Sequence, residues 1–111
     1  MLALAFMAFA HAADFDVTVA VATPSGRVIL PDVHRVVSTQ PVVVPLIYRG
    51  EPVAGLLTSD GSEVCLAFFD AQGARVSDFG GPVCTRPAAS TGIGKIATAA
   101  AVVTETVVAR P

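Results

Sequence analysis

Cys65 and Cys84 are the residues of this 111-residue chain whose chemistry is most sharply defined. Joined as a disulfide they would close a loop of about 20 residues, worth roughly 3 kcal/mol in the chain-entropy model. Metal binding by the same pair is disfavoured, because a structural site takes three or four ligands and the only histidines are His11 and His34. Two buried free thiols packed as small apolar groups are the remaining alternative, and the redox compartment decides between them.

The other reactive side chains form no recognisable constellation. His34, between Val33 and Arg35, is the one histidine left to pair with a serine nucleophile once the amino-terminal segment is set aside, and no serine lies in a Gly-x-Ser-x-Gly elbow. Asp14 and Asp16 share one face of a strand as solvent-facing charges, and Asp60 and Asp70 sit where turns begin. Gly80-Gly81 and Gly92-Ile93-Gly94-Lys95 are too sparse for a phosphate loop and read as turn glycines. There is no Trp, and Tyr48 is the single Tyr. No catalytic residue, metal site or cofactor is expected, and the chain reads as a non-enzyme that works through surfaces and sheet edges.

Composition and charge narrow the class further. The chain is 53% hydrophobic, 14% charged and formally −2, with its basic residues scattered singly, which gives no electrostatic footprint for nucleic acid. One domain is expected at this length. Met1 to Ala10 is an uncharged apolar run followed by Ala10-His11-Ala12, a small-x-small cleavage pattern. Residues 1–12 therefore read as a signal-peptide-like segment and residues 13–111 as a single β-sandwich domain, periplasmic or extracellular, with no transmembrane anchor after cleavage. At about ten residues the run is shorter than the roughly 20 needed to span a bilayer. An oxidising compartment makes the disulfide the expected state of the cysteines.

Strands must position whatever surface does the work. Asp14 to Ala22 alternates, with Phe15, Val17, Val19 and Val21 on one face, and predicts a half-buried strand. Thr23-Pro24-Ser25-Gly26 is a turn, Arg27 to Leu30 a short strand, and Val33 to Ser38 a weakly patterned one. Val42 to Tyr48 is β-branched but contains Pro45, so it belongs at a sheet edge or carries a bulge. Arg49-Gly50-Glu51 turns the chain into the extended run Pro52 to Thr58. Val64 to Phe69 is apolar on both faces, and Asp70-Ala71-Gln72-Gly73 turns it into a predicted hairpin with Ala74 to Asp78. Val83-Cys84-Thr85 forms a short strand, Pro87 to Gly94 a loop, and Lys95 to Ala109 one or two further strands on the strength of its β-branched residues. A sheet this apolar needs its exposed edges covered.

Ala12-Ala13-Asp14-Phe15-Asp16-Val17-Thr18-Val19 resembles the mature start of fimbrial subunits of the alternate chaperone pathway, and Val44 to Pro52 is similar to a later hairpin there. Gly50 to Gly55 and Gly94 to Thr98 resemble invasin-type bacterial immunoglobulin-like domains. Both resemblances imply a small immunoglobulin-like β-sandwich and an exported structural or adhesive module, with a protein partner or self-association. In the fimbria-like version Phe15, Val17, Val19 and Val21 fill pockets of a neighbouring subunit as a donated strand; the simpler reading is that the strand pairs within its own sheet. The alternative function is a periplasmic inhibitor or immunity protein acting through the loop between Cys65 and Cys84, with Phe79 as its anchor if that side chain is exposed; the simpler reading of Phe79 is a core residue.

Overall fold

The computed structural model describes residues 14–26, 32–38, 40–88 and 90–110. The signal-like segment, its cleavage site and the strand expected over 27–30 lie outside the described residues. Alternation of apolar and polar residues yields β1 (Phe15–Ala22), β2 (Val33–Val36), β3 (Val42–Tyr48), β4 (Glu51–Ser59), β5 (Val64–Asp70), β6 (Val83–Thr85), β7 (Thr91–Ala97) and β8 (Val102–Ala109). Their ladders are all antiparallel and build two sheets, ordered β2-β1-β8-β7 and β3-β4-β5-β6. Among the described residues no helix is long and apolar enough to cross a membrane.

The connections follow sequence order. β2 lies against β3 and β6 against β7 where the chain passes from one layer to the other. β8 returns to pair with β1 along its whole length, from Phe15↔Ala109 to Ala22↔Val102. The path is an up-and-down meander folded into two layers. An immunoglobulin sandwich is threaded instead by Greek-key connections, in which a strand returns over a long crossover to lie beside an earlier one. Here the bridges Val37↔Gln40 and Ala88↔Thr91 stand at tight corners where the chain passes from sheet to sheet. Corners this short cannot reach across the end of a sheet.

One buried layer joins the sheets. Phe15, Val17, Val19 and Val21 of β1, with Val103 and Val107 of β8, face Val44, Leu46, Val53, Leu57, Val64, Leu66 and Phe68 of the opposite sheet. After β5, Asp70 caps its turn by accepting hydrogen bonds at Oδ1 from the amides of Gln72 and Ala74, both at 2.9 Å. The expected hairpin is truncated to the bridge Phe69↔Arg75, because a 3-10 turn at Ser77–Phe79 redirects the chain inward. The loop expected over 87–94 is also shorter than read, since β7 begins at Thr91.

Gly94 lies inside this strand rather than in a turn. A Cβ on Gly94 would collide with the Thr85 hydroxyl and come within 2.9 Å of Val83. The residue is therefore no turn glycine: its missing side chain lets β6 close over β7 at the layer boundary.

Candidate functional site

The residues expected to engage a partner are inside. Phe15, Val17, Val19 and Val21 are buried in the chain's own core, on a strand paired on both sides, with β2 and with β8. Phe79 is 1% exposed and stacks edge-on with Phe68 at 4.6 Å and tilted to Tyr48 at 4.7 Å. The candidate anchor is thus core, as its simpler reading has it: a plug at the end of the buried layer, because the 3-10 turn aims the ring between the sheets. Cys65 and Cys84 are joined, directly opposite each other on β5 and β6 with Cα atoms 4.0 Å apart. The face of β5 that carries Cys65, Ala67 and Phe69 is half-buried rather than enclosed.

What the sheets offer outward differs between the two layers. Register places Val43, Leu56 and Ala67 in one cross-strand row, Pro45, Ala54 and Phe69 in the next, and Ile47 beside Pro52. None of these side chains carries a charge or a hydrogen-bonding group. Val43 is 57% exposed and Ile47 63%. Arg75 borders the patch with its guanidinium 5.9 Å from the Phe69 ring. The outer face of the other sheet also exposes apolar side chains, Val33, Ile93 and Val108, but sets them in rows with Thr18, Thr106 and Asp16, beside Thr104 and Lys95 and a 2.9 Å ion pair from Arg110 to Asp16. What distinguishes the β3–β4–β5 face is that its apolar rows are unbroken by charged or hydrogen-bonding side chains.

The strand at the edge of that face, β3, pairs with β4 without a bulge from Val42 to Tyr48. Pro45 therefore takes the edge option rather than the bulge. On an outermost strand its missing N–H interrupts the row of donors that an added strand would need.

Two carboxyl groups gain definition from the fold. Glu63 places Oε2 3.8 Å from the Cys65 sulfur and Oε1 3.8 Å from Arg86, and its carboxylate with the two sulfurs forms a three-donor cluster. Because the sulfurs are bonded to each other, no thiolate is available there to hold a metal. Glu105 lies on the inward face of β8 between Val19 and Gly94, fully buried, and accepts a 2.7 Å hydrogen bond from the Thr85 hydroxyl. Burial in this apolar layer raises its carboxyl pKa to about 7, with the Thr85 bond pulling the other way and Glu63 adding a smaller upward push.

At the opposite end from the disulfide, the turns after β1, β3 and β7 surround a cleft of about 630 Å³ lined by Thr23, Pro24, Ser25, Ile47, Tyr48, Arg49, Ala99 and Ala100. The β3–β4 connection is Arg49-Gly50, with φ of 54° and 77°. Left-handed geometry at both positions is that of a type I′ turn, which favours Asn, Asp or Gly first. Arg there costs about 1 to 2 kcal/mol. Its guanidinium lies 5.3 Å from the Tyr48 ring centroid and 3.7 Å from Asp78 Oδ2, the atom to which the Tyr48 hydroxyl donates at 2.8 Å. That hydrogen bond to Asp78 is the main reason the Tyr48 pKa is raised.

The chain matches no family model, no curated protein and no solved structure. Of the features just described, sequence reasoning missed Glu105, Glu63 and Arg49. Glu105 was within reach, because Val103, Glu105 and Val107 share one parity on a strand. Glu63 and Arg49 carry no such signal: their neighbours are set by the pairing of distant strands.

Proposed function

We propose that this protein is an exported structural or adhesive module that self-associates through the outer face of β3, β4 and β5. The uncharged rows around Val43 and Ile47, set against the mixed outer face of the other sheet, are the observation that carries this reading. A second copy is the occupant of choice because the rows themselves carry no charge and Arg75 lies at their border, so two identical faces meet without stranding an ion at the centre. Covering Val43 and Ile47 alone contributes about 1 kcal/mol each per copy, given their present exposure. Export is supported by the bonded cysteines, which persist in oxidising compartments.

In the donated-strand version, β1 leaves its ladder with β8 and its pairing with β2 for those of a neighbour. The face-to-face version leaves β1 in place and is preferred for that reason. The inhibitor alternative loses its anchor with the burial of Phe79. Sedimentation equilibrium across a concentration series tests the proposal, with Val43→Lys/Ile47→Lys as the variant in which the face cannot close.

A further inference from the structure

We propose that the cleft between the turns after β1, β3 and β7 binds a small organic carboxylate with an apolar body, clamped by Arg49. This goes beyond the self-association reading, with which it shares Ile47, at the end of β3 where the outer face meets the cleft.

The walls fix the shape of the ligand. Pro24, Ile47, Ala99 and Ala100 supply apolar surface, and Thr23 and Ser25 present hydroxyls already oriented by a 2.7 Å bond to each other. A volume of about 630 Å³ lies within the roughly 300 to 1,000 Å³ of small-molecule sites, and mostly apolar walls with a few convergent polar groups are their usual lining. Arg49 is the cation among the lining residues.

The placement of Arg49 is a second, independent observation. A type I′ turn is made more easily with Asn or Gly at its position, so the turn itself gives no reason for Arg. A non-glycine residue held in the left-handed region is an outlier that points to function. The guanidinium lies beside the Tyr48 ring and the Asp78 carboxylate while its side chain stays 73% exposed. Asp78 touches one nitrogen, at 3.7 Å, and the planar fork has five N–H donors, so an outward edge is left for a bidentate carboxylate. Asp78 also balances part of the charge, which favours a monoanion over a phosphate or a polyacid.

The turn geometry provides an unusually clean variant. Arg49→Asn suits the left-handed backbone, so the protein folds as well as before or better while the clamp is gone. The probes are 4-methylpentanoate and its uncharged amide, titrated into isotopically labelled full-length protein and followed by amide and guanidinium nuclear magnetic resonance shifts. The expected result is saturable shifts confined to residues 23–25, 47–49 and 99–100, at least ten-fold weaker for the amide and for Arg49→Asn. Arg49→Lys restores charge but not the fork and recovers only part of the affinity. Absence of saturation up to the solubility limit, equal binding of acid and amide, or undiminished binding by a folded Arg49→Asn protein would each overturn the proposal.

Discussion

Thr85 donates a 2.7 Å hydrogen bond to Oε1 of Glu105 inside the core, and Oε2 of the same carboxyl group has no partner among the described residues. A carboxylate so placed loses its hydration without regaining it, so the neutral acid is the form the fold prefers.

That preference sets a pH dependence whose sign is fixed. The folded pKa, about 7, lies above the ordinary 4.5, so the folded state holds its proton longer than the unfolded chain. The contribution is fully present below 4.5 and is lost as pH rises through about 7. Roughly 3 kcal/mol is at stake, at about 1.4 kcal/mol per unit of displacement. Urea midpoints across this window are expected to fall with rising pH in the parent protein and to stay nearly level in Glu105→Gln. A parent protein whose midpoint rises instead would contradict the buried, neutral acid.

Gly94→Ala addresses the same region from β7. The added methyl meets the Thr85 hydroxyl and Val83, so β6 must lift away from β7. A loss of about 1 to 3 kcal/mol is expected in thermal or urea unfolding, in line with overpacking elsewhere. Loosening the lid over Glu105 should also admit water and flatten the pH dependence.

The cysteine pair was legible in the sequence, and so were its strands, because Val64 to Phe69 and Val83 to Thr85 are apolar runs between strong turns. The inward set of β1 followed from strict alternation. What local pattern cannot supply is who lies opposite whom. The Arg49-Gly50 turn was visible, but the stack of its Arg on Tyr48 depends on Asp78 arriving from the 3-10 turn, thirty positions further along the chain from Tyr48. Phe79 beside two glycines left core and exposed anchor both open, with core the simpler reading, and the fold of 74–79 turns it inward. The resemblance to immunoglobulin-like domains carried a connectivity that the two short corners do not follow.

Removing the disulfide should weaken the end of the molecule nearest Glu63 without changing the register. Cys65→Ser/Cys84→Ser is expected to cost roughly 3 kcal/mol, since the loop between positions 65 and 84 regains its freedom when unfolded. Denaturant unfolding of the double variant beside the parent checks this. Alkylation of the exported protein before and after reduction checks the pairing itself, which requires that both thiols react only afterwards.

Deleting 14–22 separates an intrinsic β1 from a donated one. Phe15, Val17, Val19 and Val21 are each worth roughly 1.5 to 3 kcal/mol when buried, together comparable to the 5 to 15 kcal/mol that holds a whole domain. The shortened chain is expected to show no cooperative unfolding transition. A shortened chain that stays folded and binds the free 14–22 peptide would favour donation instead.

Sedimentation equilibrium of the chain from Ala13 onward, run beside Val43→Lys/Ile47→Lys, tests the role of the β3–β4–β5 face most directly. The parent is expected to form dimers or larger species as concentration rises, and the variant to remain monomeric with an unaltered unfolding transition. A parent that is monomeric at every concentration, or a folded variant that associates as strongly as the parent, would contradict the account.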